Sequence, residues 1–168
     1  MIPSQDLLHW LQEVDQKLSQ KMTLIAVGGT ALTLLGLKES TLDVDFCISG
    51  KHFSEFKKFA VSTTFVVDLF QDGYIFTLQL PKDYREKAET IPFSGKYLSL
   101  KVLSLEDIIL TKTARFTTRD IEDIKAIVAT GKVKLEILKK RFAEVFETYG
   151  GREEDYQYHF ELMLKIFF

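Results

Sequence analysis

Apolar residues recur along this chain in two rhythms. Leu7, Leu8, Leu11, Val14 and Leu18 return at helical spacing behind Ser4, a residue suited to a cap, which predicts a helix over 4–20. Leu24 to Val27 is a short continuous apolar run that predicts a strand. It breaks at Gly28-Gly29 and resumes as a helix-like run through Thr30, Ala31, Leu32, Leu34 and Leu35, ending near Gly36. Asp43-Val44-Asp45-Phe46 then alternates, predicting a strand through Ile48 with Asp43 and Asp45 on one face and Leu42, Val44 and Phe46 on the other. After a turn at Ser49-Gly50, Phe53, Phe56 and Phe59 mark one side of a short helix over 52–60. The β-branched and aromatic stretch 63–70 predicts a strand, turned at Gln71-Asp72-Gly73 into a second one over 74–80. Residues 81–90 are polar and read as an exposed loop, and Tyr97 to Leu103 alternates as another strand.

From Ser104 the pattern turns helical. Ser104-Leu105-Glu106-Asp107 sets a cap and acidic residues at a helix start, close to a capping box in form. Ile108, Ile109, Leu110 and Ala114, then Ile121, Ile124, Ile127 and Val128, predict two successive helices. Lys112, Arg115 and Arg119 share a face if one helix continues; a bend at Thr117-Thr118 puts Arg119 at the next helix start beside Asp120. Two more helices are expected over 132–149 and 152–168, separated by Gly150-Gly151 as a hinge or C-cap. The last carries Phe160, Leu162, Met163, Leu164, Ile166, Phe167 and Phe168, too apolar to hang free. It is expected to dock on this domain or on a second copy. The fold class is therefore α+β: a small mixed sheet flanked by helices over 1–103, with a C-terminal helical bundle over 104–168 packed on it as one unit.

Composition narrows the class of partner. The 168 residues are 46% hydrophobic and 27% charged, with a formal net charge of −2, enough apolar material for a core but no bulk attraction to nucleic acid. The single cysteine, Cys47, cannot form an intrachain disulfide; a buried apolar role and a reducing, cytoplasmic setting are expected for it. There is no basic stretch leading into an apolar leader and no uncharged apolar run of membrane-spanning length, so no membrane association is expected. His9 and Trp10 beside the first helical stripe, and His52 near a helix start, are read as structural or solvent-facing.

Two stretches carry chemistry. Gly28-Gly29 before a helix lets the backbone turn sharply and presents the first free N–H groups of that helix to an anion, typically a phosphate. Asp43 and Asp45 side by side repel unless a cation lies between them, and their hard oxygens suit Mg²⁺ or Mn²⁺. Asp68, in the otherwise apolar Val67-Asp68-Leu69, needs a similar compensation.

In this order the two stretches resemble the hG[GS]…Dh[DE]h signature of the DNA polymerase β-like nucleotidyltransferase superfamily, with the spacer at the long end of its range. Within it the chain looks most like the minimal nucleotidyltransferases and the AbiEii-type toxin relatives. Leu105 to Lys112 followed by Arg119-Asp120-Ile121-Glu122-Asp123-Ile124 resembles a second block of that group, LxDLxxxK…RDxxDI.

The resemblance implies a nucleotidyltransferase core in which Asp43, Asp45 and Asp68 are catalytic and hold the metal. Gly28, Gly29 and Thr30 would seat phosphates, Lys112 would clamp the triphosphate, and Arg115 or Arg119 would help. Asp120 and Asp123 would either organise the site or form local ion pairs. The implied reaction moves an NMP from an NTP to a hydroxyl of a tRNA, a protein or a small molecule, as in a toxin–antitoxin component with an antitoxin partner. The alternative is an inactive nucleotide-binding or partner-binding module of the same fold. The apolar C-terminal helix adds a homodimer to the expected assemblies.

Overall fold

The computed structural model describes residues 1–62 and 64–168. Its centre is a five-stranded mixed sheet of β2 (Met22–Ala26), β4 (Val44–Ile48), β5 (Val67–Gln71), β8 (Glu89–Thr90) and β9 (Leu98–Val102), in the spatial order β5-β4-β2-β9-β8. β4 runs parallel to β5 and β2 parallel to β9, while β2 and β4, and β8 and β9, are antiparallel. Period-two alternation divides the sheet into two unlike faces. Leu24, Ala26, Val44, Phe46, Leu100 and Val102 are buried on one, whereas Thr23, Ser99, Lys101 and Asp45 emerge on the other.

Helices cover the apolar face and extend its core. The chain begins with β1 (Ile2–Pro3), paired to β3 (Ser40–Thr41), and continues into α1 (Ser4–Asp15), where Leu7, Leu11 and Val14 are buried as their spacing predicts. α2 (Gly28–Leu34) packs on β4, and α3 (Gly50–Phe59) on β5. After β9 come α5 (Leu105–Arg115), α6 (Thr118–Val128), α7 (Leu135–Phe146) and α8 (Glu153–Phe167), with α5 packed against the other three. α8 docks on this chain: Tyr156, Phe160 and Met163 are buried, Phe160 stacks on Phe142 at 3.7 Å, and the Tyr156 hydroxyl donates to the Leu110 carbonyl. A single set of buried side chains runs from Ile2 to Met163. Among the described residues no helix is long and apolar enough to cross a membrane.

The structure departs from the pattern-based expectations at four places. Leu42 is exposed, and Asp43 sits in a bend just before β4, so regular alternation starts only at Val44. The strand expected over 63–70 is confined to β5, with Thr63 outside the described residues. The strand expected over 74–80 is a tight hairpin of β6 (Tyr74–Ile75) and β7 (Leu78–Gln79), because Phe76 takes the left-handed conformation at φ 53° between them. Residues 81–90 are not a plain loop: α4 (Tyr84–Lys87) tucks Tyr84 into the core, and β8 extends the sheet. Its polar side chains mask three buried anchors, Pro81, Tyr84 and Ala88.

Two smaller expectations also change. Ser4 is the first residue of α1 rather than its cap, and α1 ends early because the Asp15 carboxylate turns to accept the backbone N–H groups of Lys96, Tyr97 and Leu98. Gly150-Gly151 follows α7 without a left-handed residue; Gly150 instead brings its backbone N–H to the Thr77 carbonyl at 2.8 Å. Cys47 is fully buried, and Trp10 is buried with its ring edge-on to Phe65.

Candidate active site

The Gly-Gly turn exists because side chains would not fit it. Gly28 has φ +55°, strained for any other residue, and a Cβ on Gly29 would stand 2.8 Å from Thr41 Oγ1. Thr41 Oγ1 in turn donates to the Asp43 carbonyl at 2.9 Å. Thr30, just inside α2, is buried, and its hydroxyl donates to the Asp43 carbonyl at 3.1 Å and accepts the Asp45 N–H at 2.9 Å. This corrects the expectation that the Thr30 hydroxyl seats a phosphate: both its hydrogen-bonding roles are spent fixing the Asp-x-Asp segment against α2.

The consequence is that Asp45 leaves β4 on the open face of the sheet. In the parallel register of β4 with β5, Asp45 stands directly beside Asp68, and Asp43 precedes it by one alternation. Asp43 and Asp68 are exposed and Asp45 is half-buried. Burial, then the charges of Asp68 and Asp43, push the Asp45 carboxyl up to about 6, against the opposing pull of Arg115 and Lys112. The three acids therefore lie within electrostatic reach of one another. Among the described residues, however, no group of three or more His, Cys, Asp or Glu side chains is arranged to hold a metal ion by itself.

Opposite the acids lies the first turn of α6. A cleft of about 730 Å³ is walled by Gly29, Asp43 and Asp45 on one side and by Lys112, Arg115 and Arg119 on the other. The three cations are not equivalent. Lys112 is buried, 2.6 Å from Asp123 and 3.5 Å from Asp120. Arg115 chelates Asp120 through Nε and Nη2, yet keeps its side chain 58% exposed. Arg119 is exposed and, among the described residues, has no ion-pair partner, because the chain bends after Arg115 and sets Arg119 at the start of α6. The expected phosphate clamp at Lys112 is thus engaged by carboxylates, and Arg119 is the exposed cation of the cleft without a carboxylate partner among the described residues.

Asp120 and Asp123 are ion-pair partners rather than a second acidic site. Asp120 completes a capping box with Thr117, and the bonds from Arg115 and Thr117 outweigh its burial and hold its carboxyl below the usual range. Asp123 also receives Lys38 at 3.0 Å. Lys38, on the loop after α2, lines the same cleft and was missed by the sequence pattern, since nothing local distinguishes it from any surface lysine. Phe70 and Phe76 were missed too. Their rings meet at 5.0 Å beside Gly28 and Asp45, giving the polar site an apolar wall, and Phe76 is 64% exposed.

A pair of glycines thus delivers a helix beneath a sheet-borne set of acids, beside a cleft lined by carboxylates and by the cations Lys38, Lys112, Arg115 and Arg119. The chain belongs to the family described as a nucleotidyltransferase of unknown function (DUF6036), which it matches over residues 5–166. No curated protein matches the chain.

Proposed function

We propose that this protein is a metal-dependent nucleotidyltransferase that moves an NMP from an NTP to a hydroxyl of an acceptor, with Asp43, Asp45 and Asp68 as its catalytic acids. The observation that carries the reading is the crowding of Asp45 by Asp68 and Asp43 on the open sheet face, beside a cleft in which Arg119 has no carboxylate partner among the described residues. Carboxylates left repelling each other, when Lys112 and Arg115 are close by but engaged by Asp120 and Asp123, are a standing preference for a positive ligand.

The donor set fits Mg²⁺ or Mn²⁺. Mg²⁺ is commonly bound by one or two carboxylates plus substrate phosphates and water, so a site without three converging protein ligands is compatible with it. Asp45 with Asp43 or Asp68 would hold the ion, which when bound supplies charge neutralisation on the phosphates and a more acidic acceptor hydroxyl. Asp68, exposed at the edge strand, is placed to take the acceptor proton. Arg119, Arg115 and, beyond its carboxylate partners, Lys112 offer positive charge to the departing pyrophosphate. Gly28 and Gly29 let the backbone approach the substrate closely. No nucleophilic side chain of the protein is required.

In this reading the relationship to AbiEii-type toxins, a toxin–antitoxin role with an antitoxin partner, and a cytoplasmic setting go together as one hypothesis. A tRNA, a protein or a small molecule each offers the hydroxyl needed. The test is thermal unfolding of the wild type and of Asp43→Ala/Asp45→Ala with each of the four NTPs, with and without Mg²⁺. A ligand at about 100 times its Kd stabilises the folded chain by roughly 2.7 kcal/mol. The proposal expects one or more NTPs with Mg²⁺ to raise the wild-type midpoint and leave the double variant unmoved. Equal shifts in both proteins, or none in either, would overturn it in favour of an inactive module of the same fold.

A further inference from the structure

The open face of the sheet bears a second concave site, further along β2 and β4. A cavity of about 380 Å³ lies among β2, β4, β9, α3 and α4, and shares no lining residue with the carboxylate cleft. Its charge is the reverse of the active site's. Lys21, Arg85, Lys101 and His52 line it, with no carboxylate among the lining residues. Hydroxyl groups of Thr23, Ser49, Ser99 and Tyr84 complete its polar lining.

Strand register explains how these side chains meet. Thr23 of β2 stands beside Ser99 of β9, and Ile25 stands beside Lys101 on one flank and Cys47 on the other. All therefore point to the same side of the sheet, where Ile25 and Cys47 form a buried floor and Thr23, Ser99 and Lys101 reach toward solvent. Lys101 sits in the middle of the sheet, half-buried, and among the described residues neither it nor Lys21 has an ion-pair partner. The nearby acids are occupied. Asp72 pairs with Arg85 at 2.8 Å and caps Gly50, while Glu55, near His52, is bound by Ser19 and Gln20. His52 adds an independent sign: its Nδ1 is a buried polar atom without a hydrogen-bond partner among the described residues.

We propose that this cavity binds a terminal phosphate group. Its cations and hydroxyls match a dianion that takes several charge-assisted hydrogen bonds at once. Its volume falls in the range of small-ligand sites, leaving room for the organic body of a phosphomonoester. The site stands on its own geometry and does not depend on nucleotidyl transfer at Asp45.

The test is NMR titration of the full chain, following the ring resonances of His52, with His9 and His159 as internal references. Orthophosphate, ribose 5-phosphate and unphosphorylated ribose are the probes. The proposal expects a saturable shift confined to His52 with both phosphates and none with ribose. It expects at least a tenfold loss of affinity in Lys21→Ala/Lys101→Ala, recovery in Lys21→Arg/Lys101→Arg, and no change in Asp45→Asn. Tighter binding of ribose 5-phosphate than of orthophosphate identifies a phosphomonoester as the ligand; equal binding identifies the free anion. Absence of a saturable shift, a shift shared by His9 and His159, or one surviving the double alanine variant would overturn it. A change of affinity in Asp45→Asn would show that the phosphate goes to the carboxylate cleft instead.

Discussion

Asp45 and Asp107 are both aspartates whose carboxyls burial lifts above the ordinary range, and the protein answers them in opposite ways. Asp107, fully buried in the first turn of α5, is met by Arg141 of α7 through two bonds of 2.7 Å each, with Asp83 on the far side of the same guanidinium. Asp45 is met by more negative charge, from Asp68 and Asp43. The cations nearest to it are held by Asp120 and Asp123. One carboxylate is an anchor that ties the C-terminal helices to the start of α5. The other is kept unsatisfied at a cost in stability, the usual mark of a site awaiting a ligand.

Breaking the paired side should have the largest effect. Arg141→Met leaves Asp107 buried without its cation, and is expected to cost about 3–5 kcal/mol, read as a lower midpoint in urea. Lys112→Met is next. Asp123 keeps Lys38 and Asp120 keeps Arg115, so the expected loss is smaller, about 2 kcal/mol in the same measurement.

The crowded side should respond with the opposite sign. Above pH 6 the wild type carries an ionised Asp45 that folding disfavours; Asp45→Asn removes that cost and is expected to stabilise the fold by about 1–2 kcal/mol after allowance for solvent screening. Because the folded carboxyl titrates at about 6 and the unfolded one near 3.8, the wild type loses stability as pH rises through that window. The gain in the variant is therefore complete above about pH 6 and fades to nothing below about pH 4, as urea unfolding across pH would show. Activity should be lost in the same variant. Smallest for stability is Arg119→Ala, expected within about 0.5 kcal/mol of wild type, while its affinity for an NTP falls about tenfold for one charge-assisted bond.

The asymmetry between the two aspartates also explains what the sequence made legible. Asp45 announces itself locally: it alternates with apolar neighbours and follows a Gly-Gly turn, and both features act over a few residues. Asp68 draws notice in the sequence as a lone acid in an apolar stretch, which is costly only if buried; in the fold it is exposed at the edge strand, beside Asp45. Asp107 looks like an ordinary residue of a helix first turn, since its partner Arg141 lies on another helix far along the chain. Asp15 is hidden the same way, its three backbone partners being at 96–98. Thr30 was assigned to the ligand because its place at a helix start allows that, while its hydrogen bonds to Asp43 and Asp45 depend on the fold of the intervening loop. The residue types of a site can be read where the constraint is local; the partners that settle whether a charge is compensated come from tertiary structure.

The central claim, that Asp45 is held crowded and uncompensated for a cationic ligand, is tested most directly by a pH titration of its side-chain carboxyl by ¹³C NMR, with and without Mg²⁺ and an NTP. The account predicts titration at about 6 in the protein alone and a marked fall when Mg²⁺ and an NTP are added together. An Asp45 that titrates in the ordinary carboxylate range, or at the same pH with and without them, would contradict it.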